Sequence, residues 1–354
     1  MRKRWYRRIL IFMLIVVSAF GTNLCIEQYQ EEFEKQQVNA GEISNNLLIP
    51  GGMPIGLYME TDGVLVLGTD VIQGMDGQEY SPAKNVVKAG DYITEINGEA
   101  IESKKQLIAC IDDLDSDQVI LKLRRNEEEI EVKIKPVKTD TNEYKLGIWV
   151  RDSVQGLGTL TFLTLDHQFG ALGHGIHDSD TESLLDISVG QVYQTKVVNI
   201  EKGVKGLPGG MEGIIIYNKN NLLGTIEKNT VNGVYGTIDK VDKLVEDQTA
   251  VPVAKKKEVD TGAATIRCCV TGEVKEYDIE IEKINWFTRE ENKGMVIKIV
   301  DEELLELTGG IIQGMSGSTI MQDGKIVGAV THVLVNDPTK GYGIFIENML
   351  EAEE

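Results

Sequence analysis

The sequence predicts a mainly β protein: an N-terminal membrane helix, a small module of strands and one helix, then an all-β barrel or sandwich pair. Three observations carry this expectation. From Leu146 onward, short apolar runs alternate with glycines, and few segments show helical periodicity. Residues 47–137 carry their own succession of strand, turn and helix signals. Residues 9–26 hold no charge and follow five basic residues, Arg2, Lys3, Arg4, Arg7 and Arg8.

The N-terminal elements come first. Residues 1–8 read as a cytoplasmic basic tail and 9–26 as a single-pass transmembrane anchor, at the short end of what spans a bilayer. A cleaved signal peptide is the competing reading, although its apolar run is usually shorter. Either reading places the body of the chain outside the cytoplasm. Residues 27–46 are rich in Glu and Gln and poor in β-branched residues, and read as a stalk.

A first domain is expected over 47–137. A glycine-rich stretch runs into Ile55-Gly56-Leu57-Tyr58-Met59, and Val64 to Gly68 forms a strand. Ser81-Pro82-Ala83 opens a short helix. A further strand runs to the Asn97-Gly98 turn, and Ser103 caps a helix reaching Leu114. Val119–Arg125 and Glu129–Ile134 form a hairpin over Asn126-Glu127. The run Ala89-Gly90-Asp91-Tyr92-Ile93-Thr94-Glu95-Ile96-Asn97-Gly98, with the Gly56 to Met59 loop and the helix from Ser103, resembles a PDZ domain. By that resemblance, Gly56, Leu57, Tyr58 and Met59 would supply backbone N–H groups to a peptide tail added as a strand. The competing reading is a module that only packs against its neighbour.

Residues 138–354 are expected to form the second domain, entered through a polar linker over Pro136–Glu143. Its strands include residues 156–162, 192–200, 264–271, 274–281, 295–299 and 325–334. Composition narrows the chemistry. With a net charge of -20 and no basic patch after the N-terminus, nucleic acid is excluded as an expected partner. The 4 Cys lack C-x-x-C spacing and the His residues lack H-E-x-x-H spacing, so no metal site is expected.

Two glycine-framed sites point to nucleophilic catalysis. Gly314-Met315-Ser316-Gly317-Ser318 places a serine on a tight turn, where its hydroxyl is exposed. The backbone N–H groups of Gly314 and Ser316 would converge on an oxyanion, as trypsin-like enzymes require. Ser318 is the fallback nucleophile. Phe169-Gly170-Ala171-Leu172-Gly173-His174-Gly175 frames His174 as the base, ahead of the less framed His167 and His177. Thr331 and His332 follow the nucleophile turn and are candidates for the cleft wall. The residues alone leave the acid open among Asp301, Asp178, Asp186 and Asp337.

The stretch Thr308 to Ser318, with Gly328-Ala329-Val330-Thr331-His332-Val333 and Phe169 to Ile176, resembles the stage IV sporulation protein B peptidase family. The resemblance extends in order over essentially the whole chain. It implies a trypsin-like double β-barrel serine peptidase with His174 as base, Asp301 as acid and Ser316 as nucleophile, needing no cofactor. It also implies self-cleavage, and cleavage of a membrane-bound regulatory protein between the forespore and mother-cell membranes, which leads to activation of a late mother-cell sigma factor. The PDZ-like domain would hold peptide tails. Two features depart from ordinary trypsin-like enzymes: the acid lies shortly before the serine, and Met315 stands where those enzymes carry Asp. The family's commoner proline after the second serine is Thr319 here. The alternatives are a non-catalytic PDZ scaffold and a general envelope quality-control protease.

Overall fold

Two sixteen-residue strands organise the fold, Pro54–Thr69 and Ile148–Leu163. In a computed structural model of the chain, residues 47–114, 117–245 and 249–353 are described. The two strands pair antiparallel from Pro54↔Thr159 to Thr69↔Ile148. Each spans roughly 50 Å at about 3.3 Å per residue. That length lets one strand serve two cores. Ile55, Leu57 and Met59 pack with Leu160, Phe169, Val192 and Val234, whereas Val64 and Val66 pack with Ile93, Ile96, Leu107 and Leu121.

The first core lies inside a ring of six strands. Pro54–Thr69 pairs with Ile187–Glu201, which pairs with Leu222–Thr230. That strand pairs with Gly233–Ile238, which pairs with Gln168–Ala171. The ring returns through Ile148–Leu163 to Pro54–Thr69. A second closed barrel follows in the chain, formed by Gly262–Cys268, Lys275–Ile284, Met295–Ile299, Lys340–Phe345, Lys325–Val333 and Thr319–Gln322. Inward residues alternate along its strands, as Tyr277, Ile279 and Ile281 do, and closure leaves no open sheet edge. The fold is therefore mainly β.

A smaller module sits between the two long strands in sequence. Tyr92–Ile96, Val119–Arg125 and Glu128–Ile134 extend the sheet from Val64 and Leu65. Helix Lys104–Asp112 covers their apolar face through Leu107. Ser103 starts it with a capping box, accepting from Gln106 N while the Gln106 side chain accepts from Ser103 N. Asp91 is buried at 1 % exposure, and Arg125 neutralises it through two bonds of 2.7 Å each.

Three expectations are revised here. Ser81-Pro82-Ala83 leads into a run of turns rather than a helix. The linker expected over Pro136–Glu143 contains Val137–Lys138, which pairs with Tyr144–Lys145. Gly56, Leu57, Tyr58 and Met59 are not a loop. They lie within Pro54–Thr69, paired with residues 154–157 on one side and 190–193 on the other. A backbone paired on both edges has no N–H left for a peptide tail, so the carboxylate-binding role expected for these four residues does not hold. The anchor over 9–26 and the stalk over 27–46 lie outside the described residues. Among the described residues, no helix is long and apolar enough to cross a membrane.

Candidate active site

The nucleophile turn is built between a helix end and a barrel strand. Helix Glu302–Thr308 stops at Gly309, whose φ of 72° takes the left-handed conformation that ends helices. The chain then turns through Gly314 and Gly317, at φ of 98° and 96°, before entering strand Thr319–Gln322. A side chain at 317 would also meet the Thr159 carbonyl oxygen at 2.1 Å, so only glycine fits there. Met315 is fully buried and pins the turn to the barrel core.

Strand Ile148–Leu163 holds this turn from the other side. Thr159 Oγ1 donates to Gly314 O at 2.7 Å, and Thr159 N donates to Ser316 O at 3.2 Å. Thr161 Oγ1 donates to Gly317 O at 2.9 Å. The N–H of Met315 is taken by Ile312 O and that of Gly317 by Val330 O. Among the described residues, no acceptor takes the N–H of Gly314 or of Ser316. Those two donors are the pair an oxyanion would need.

Ser316 Oγ donates to Thr331 O at 2.7 Å. His174 lines the same cleft, following Leu172 and Gly173, both at positive φ. Gly173 backs against Ile344 and Thr331, which carries the His174 turn onto the second barrel. His174 Nδ1 lies 2.9 Å from Gly175 O. A carbonyl only accepts, so Nδ1 carries the proton and Nε2 keeps the lone pair that a general base uses. Burial pushes the His174 imidazolium below the usual histidine range; Gly175 O opposes that shift and His177 adds to it.

The rest of the cleft is mainly apolar. Its volume is about 560 Å³, and its wall includes Leu57, Met59, Val154, Leu157, Ile312 and Val333. Leu57 and Met59, expected at a peptide-tail loop, are cleft-wall residues instead. Thr331 and His332 line it too. The His332 ring centroid is 4.9 Å from that of His174, with the planes at 37°. Thr331 Oγ1 donates to Asn292 O at 2.6 Å.

No candidate acid reaches His174. Asp301 caps helix Glu302–Thr308, where its carboxylate accepts from Leu304 N at 2.9 Å and from Asp278 N at 3.3 Å. It follows strand Met295–Ile299, whose Met295 end pairs with Gly343, beside the Ile344 that touches the His174 turn. Five residues of extended strand, about 17 Å, separate the two ends. The acid role that the resemblance assigns to Asp301 is therefore not supported by its position. Asp178 is buried and paired with Arg151. Burial raises its pKa, but the N–H groups of Thr181 and Asp180 and the Arg151 charge outweigh that and hold it below the usual range. Asp186 pairs with Arg124 at 3.3 Å, and Asp337 accepts from Thr339 Oγ1 at 2.6 Å. Ser318 is fully buried, its hydroxyl without a partner among the described residues. His167 sits in the turn between Thr164 and Gln168, away from the cleft wall, whereas His177 lines it. Among the described residues, no group of three or more His, Cys, Asp or Glu gathers to hold a metal ion.

Thr159 is the site residue that sequence reasoning missed. It lies 155 positions from the Gly314 it holds, inside an ordinary strand pattern, and nothing local marks it.

The profile of the SpoIVB peptidase S55 family matches residues 142–350. No curated protein matches the chain. Among solved structures, the PDZ domain of an SdrC-like protein from Listeria monocytogenes is 29% identical over 25% of this chain and 87% of its own, with a TM-score of 0.21. The active form of the Rv3671c protease from M. tuberculosis is 10% identical, covers 57% of this chain and 73% of its own, and has a TM-score of 0.31. The HtrA-type protease AlgW with a decapeptide is 11% identical over 57% of this chain and 53% of its own, with a TM-score of 0.33.

Proposed function

The chain belongs to the SpoIVB peptidase S55 family and is a serine peptidase, and we propose that it works as a sporulation signalling endopeptidase of trypsin-like, two-barrel design. In this reading it is anchored by residues 9–26, cleaves itself, and cuts a membrane-bound regulatory protein between the forespore and mother-cell membranes. The observation that carries the chemistry is the Ser316 turn, with two N–H groups that no acceptor takes among the described residues, in one cleft with a histidine whose Nδ1 faces a carbonyl and leaves Nε2 as the base.

The reaction follows from those groups. Ser316 Oγ leaves the Thr331 carbonyl and donates to His174 Nε2 instead. As the oxygen attacks a peptide carbonyl, its proton passes to His174. The N–H groups of Gly314 and Ser316 receive the charge that builds on the carbonyl oxygen. His174 then gives the proton to the leaving amine, and water, deprotonated by the same ring, releases the acyl group. Here the Gly175 carbonyl, rather than a carboxylate, fixes the histidine tautomer.

The peptide-holding role expected for residues 56–59 moves to a different edge. Among the described residues, 148–153 pair with Pro54–Thr69 on one side only, and the Lys104 N–H at the start of helix Lys104–Asp112 bonds Asp152 at 2.9 Å. An extended tail added there would lie beside Trp149 and Ile108, both exposed. The same strand continues into the cleft wall at Val154–Leu157.

Intact mass of the full chain over time, beside Ser316→Ala, tests the self-cleavage reading. Fragmentation of the parent alone supports it. Equal fragmentation of both assigns the cutting to another protease.

A further inference from the structure

The oddest feature of the cleft is a histidine pair where a histidine–carboxylate pair was expected. His332 packs its ring against His174 at 4.9 Å, and its Nδ1 is buried with no partner among the described residues. A buried ring nitrogen left unpaired costs free energy, and a fold tolerates it where the group serves the site. The carboxylates that sequence reasoning offered for this place are committed elsewhere: Asp301 to a helix cap and Asp178 to Arg151. The remaining constraint on the base comes from Gly175 O, which fixes the tautomer but touches only one edge of the ring. The face of the ring is held by His332.

We propose that His332 is the positioning residue of this active site, a neutral imidazole whose packing keeps His174 in register with Ser316. This rests on the serine-peptidase reading of the cleft. His332 is carried by the residue after Thr331, whose carbonyl receives the Ser316 hydroxyl. One strand, Lys325–Val333, therefore sets the resting place of the nucleophile and the orientation of the base together. A movement of that strand changes both at once.

The neutral state of His332 is part of the role. A proton on its ring would set a like charge beside His174 and oppose the uptake of the Ser316 proton. The groups that bear on it are His174 and His177 in the cleft, and Lys293 and Glu290 on the adjoining loop. Burial is the largest influence; His174, Lys293 and His177 lower its pKa further, Glu290 opposes them, and the result is about 4. The site thus has two ionisations on its acid side, and both must be empty for catalysis.

The test is the second-order rate at which a fluorophosphonate labels the full chain, measured from pH 3.5 to 8. In labelling, the Ser316 Oγ–P bond forms, the P–F bond breaks with loss of fluoride, and the proton passes to His174, so the rate reads activation of the nucleophile without a known substrate. His332→Ala should label at least about tenfold more slowly at neutral pH, with His174 free to turn. His332→Phe keeps a flat ring against His174 and should label within about threefold of the parent. Its acid limb should fall with one proton, where the parent's falls with two. Thermal melting of each variant separates a positioning loss from unfolding. If folded His332→Ala labels at the parent rate, or if His332→Phe retains a two-proton limb, the proposal is overturned. If parent and Ser316→Ala label alike, the serine-peptidase reading itself fails, which is a distinct outcome.

Discussion

Asp301→Asn separates two roles that Asp301→Ala would confuse. In the structure the Asp301 carboxylate bonds Leu304 N at 2.9 Å as the cap of helix Glu302–Thr308, and that helix delivers the chain directly into the oxyanion turn. Asparagine caps about as well as aspartate, and Glu302 and Glu303 remain in the first turn to favour the helix dipole. The amide should therefore cost less than about 1 kcal/mol of stability and leave the labelling rate of Ser316 within about threefold. A carboxylate orienting the catalytic histidine behaves otherwise: its amide leaves geometry intact but lowers turnover about 10⁴-fold, or about 5 kcal/mol of transition-state stabilisation. Asp301→Ala should lose the cap, about 1 kcal/mol, and slow labelling as the turn loosens. The assay is fluorophosphonate labelling alongside urea unfolding for the three proteins. Asp301→Asn slowed a thousandfold with its unfolding midpoint unchanged would refute the cap account and return Asp301 to the triad.

Three further outcomes are expected. Gly317→Ala should abolish labelling, because its new carbon meets the Thr159 carbonyl at 2.1 Å on a backbone at φ 96°; full activity would show the turn free to move. Arg151→Ala should cost about 3 kcal/mol in urea unfolding, by leaving the fully buried Asp178 carboxylate without its partner; a loss under about 0.5 kcal/mol would show the backbone N–H groups sufficient. Stability should fall as pH drops from about 6.5, the ordinary histidine value, toward 4, because the unfolded chain takes up protons that folded His332 refuses. Below about 4 both states are protonated and the loss levels off. Thermal melting across that window should show a smaller fall in His332→Phe, and an equal fall would remove His332 as a source.

Local chemistry made part of this site readable. The turn at Gly314 to Gly317, the hairpin over Asn126 and Glu127 and the Ser103 cap all depend on residues within a few positions of one another. What was misread depends on distant partners. Gly56 to Met59 alternates like any strand, and which strands lie beside it is decided by residues near 155 and 191. Asp301 had a second local meaning available: an Asp followed by Glu-Glu-Leu-Leu is a helix-start signal, and in the structure the cap is what it forms. The position of His332 after the nucleophile turn marked it for the cleft wall, where it lies, but nothing local marked its contact with His174, which is on the other barrel.

The long strand Ile148–Leu163 connects these points mechanically, and Thr159 is where that connection reaches the chemistry. Its outer residues, Ile148 and Val150, pack with the small module; its middle, Val154 to Leu157, lines the cleft; its Thr159 hydroxyl fixes the Gly314 carbonyl at 2.7 Å. Fixing that carbonyl fixes the plane of the Gly314–Met315 peptide, and with it the direction of the flanking N–H groups that meet an oxyanion. Thr159→Val keeps shape and burial but leaves the Gly314 carbonyl without its donor, at a cost of about 1–3 kcal/mol. The peptide is then free to turn toward another donor. Loss of one oxyanion donor costs about 10²–10³ in turnover, so labelling should fall by at least about tenfold, while Thr159→Ser, which retains the hydroxyl, should stay near the parent. Equal rates for Val and Ser would mean that Thr159 N, bonded to Ser316 O, suffices to hold the turn, and that the strand bears on catalysis only through the cleft wall.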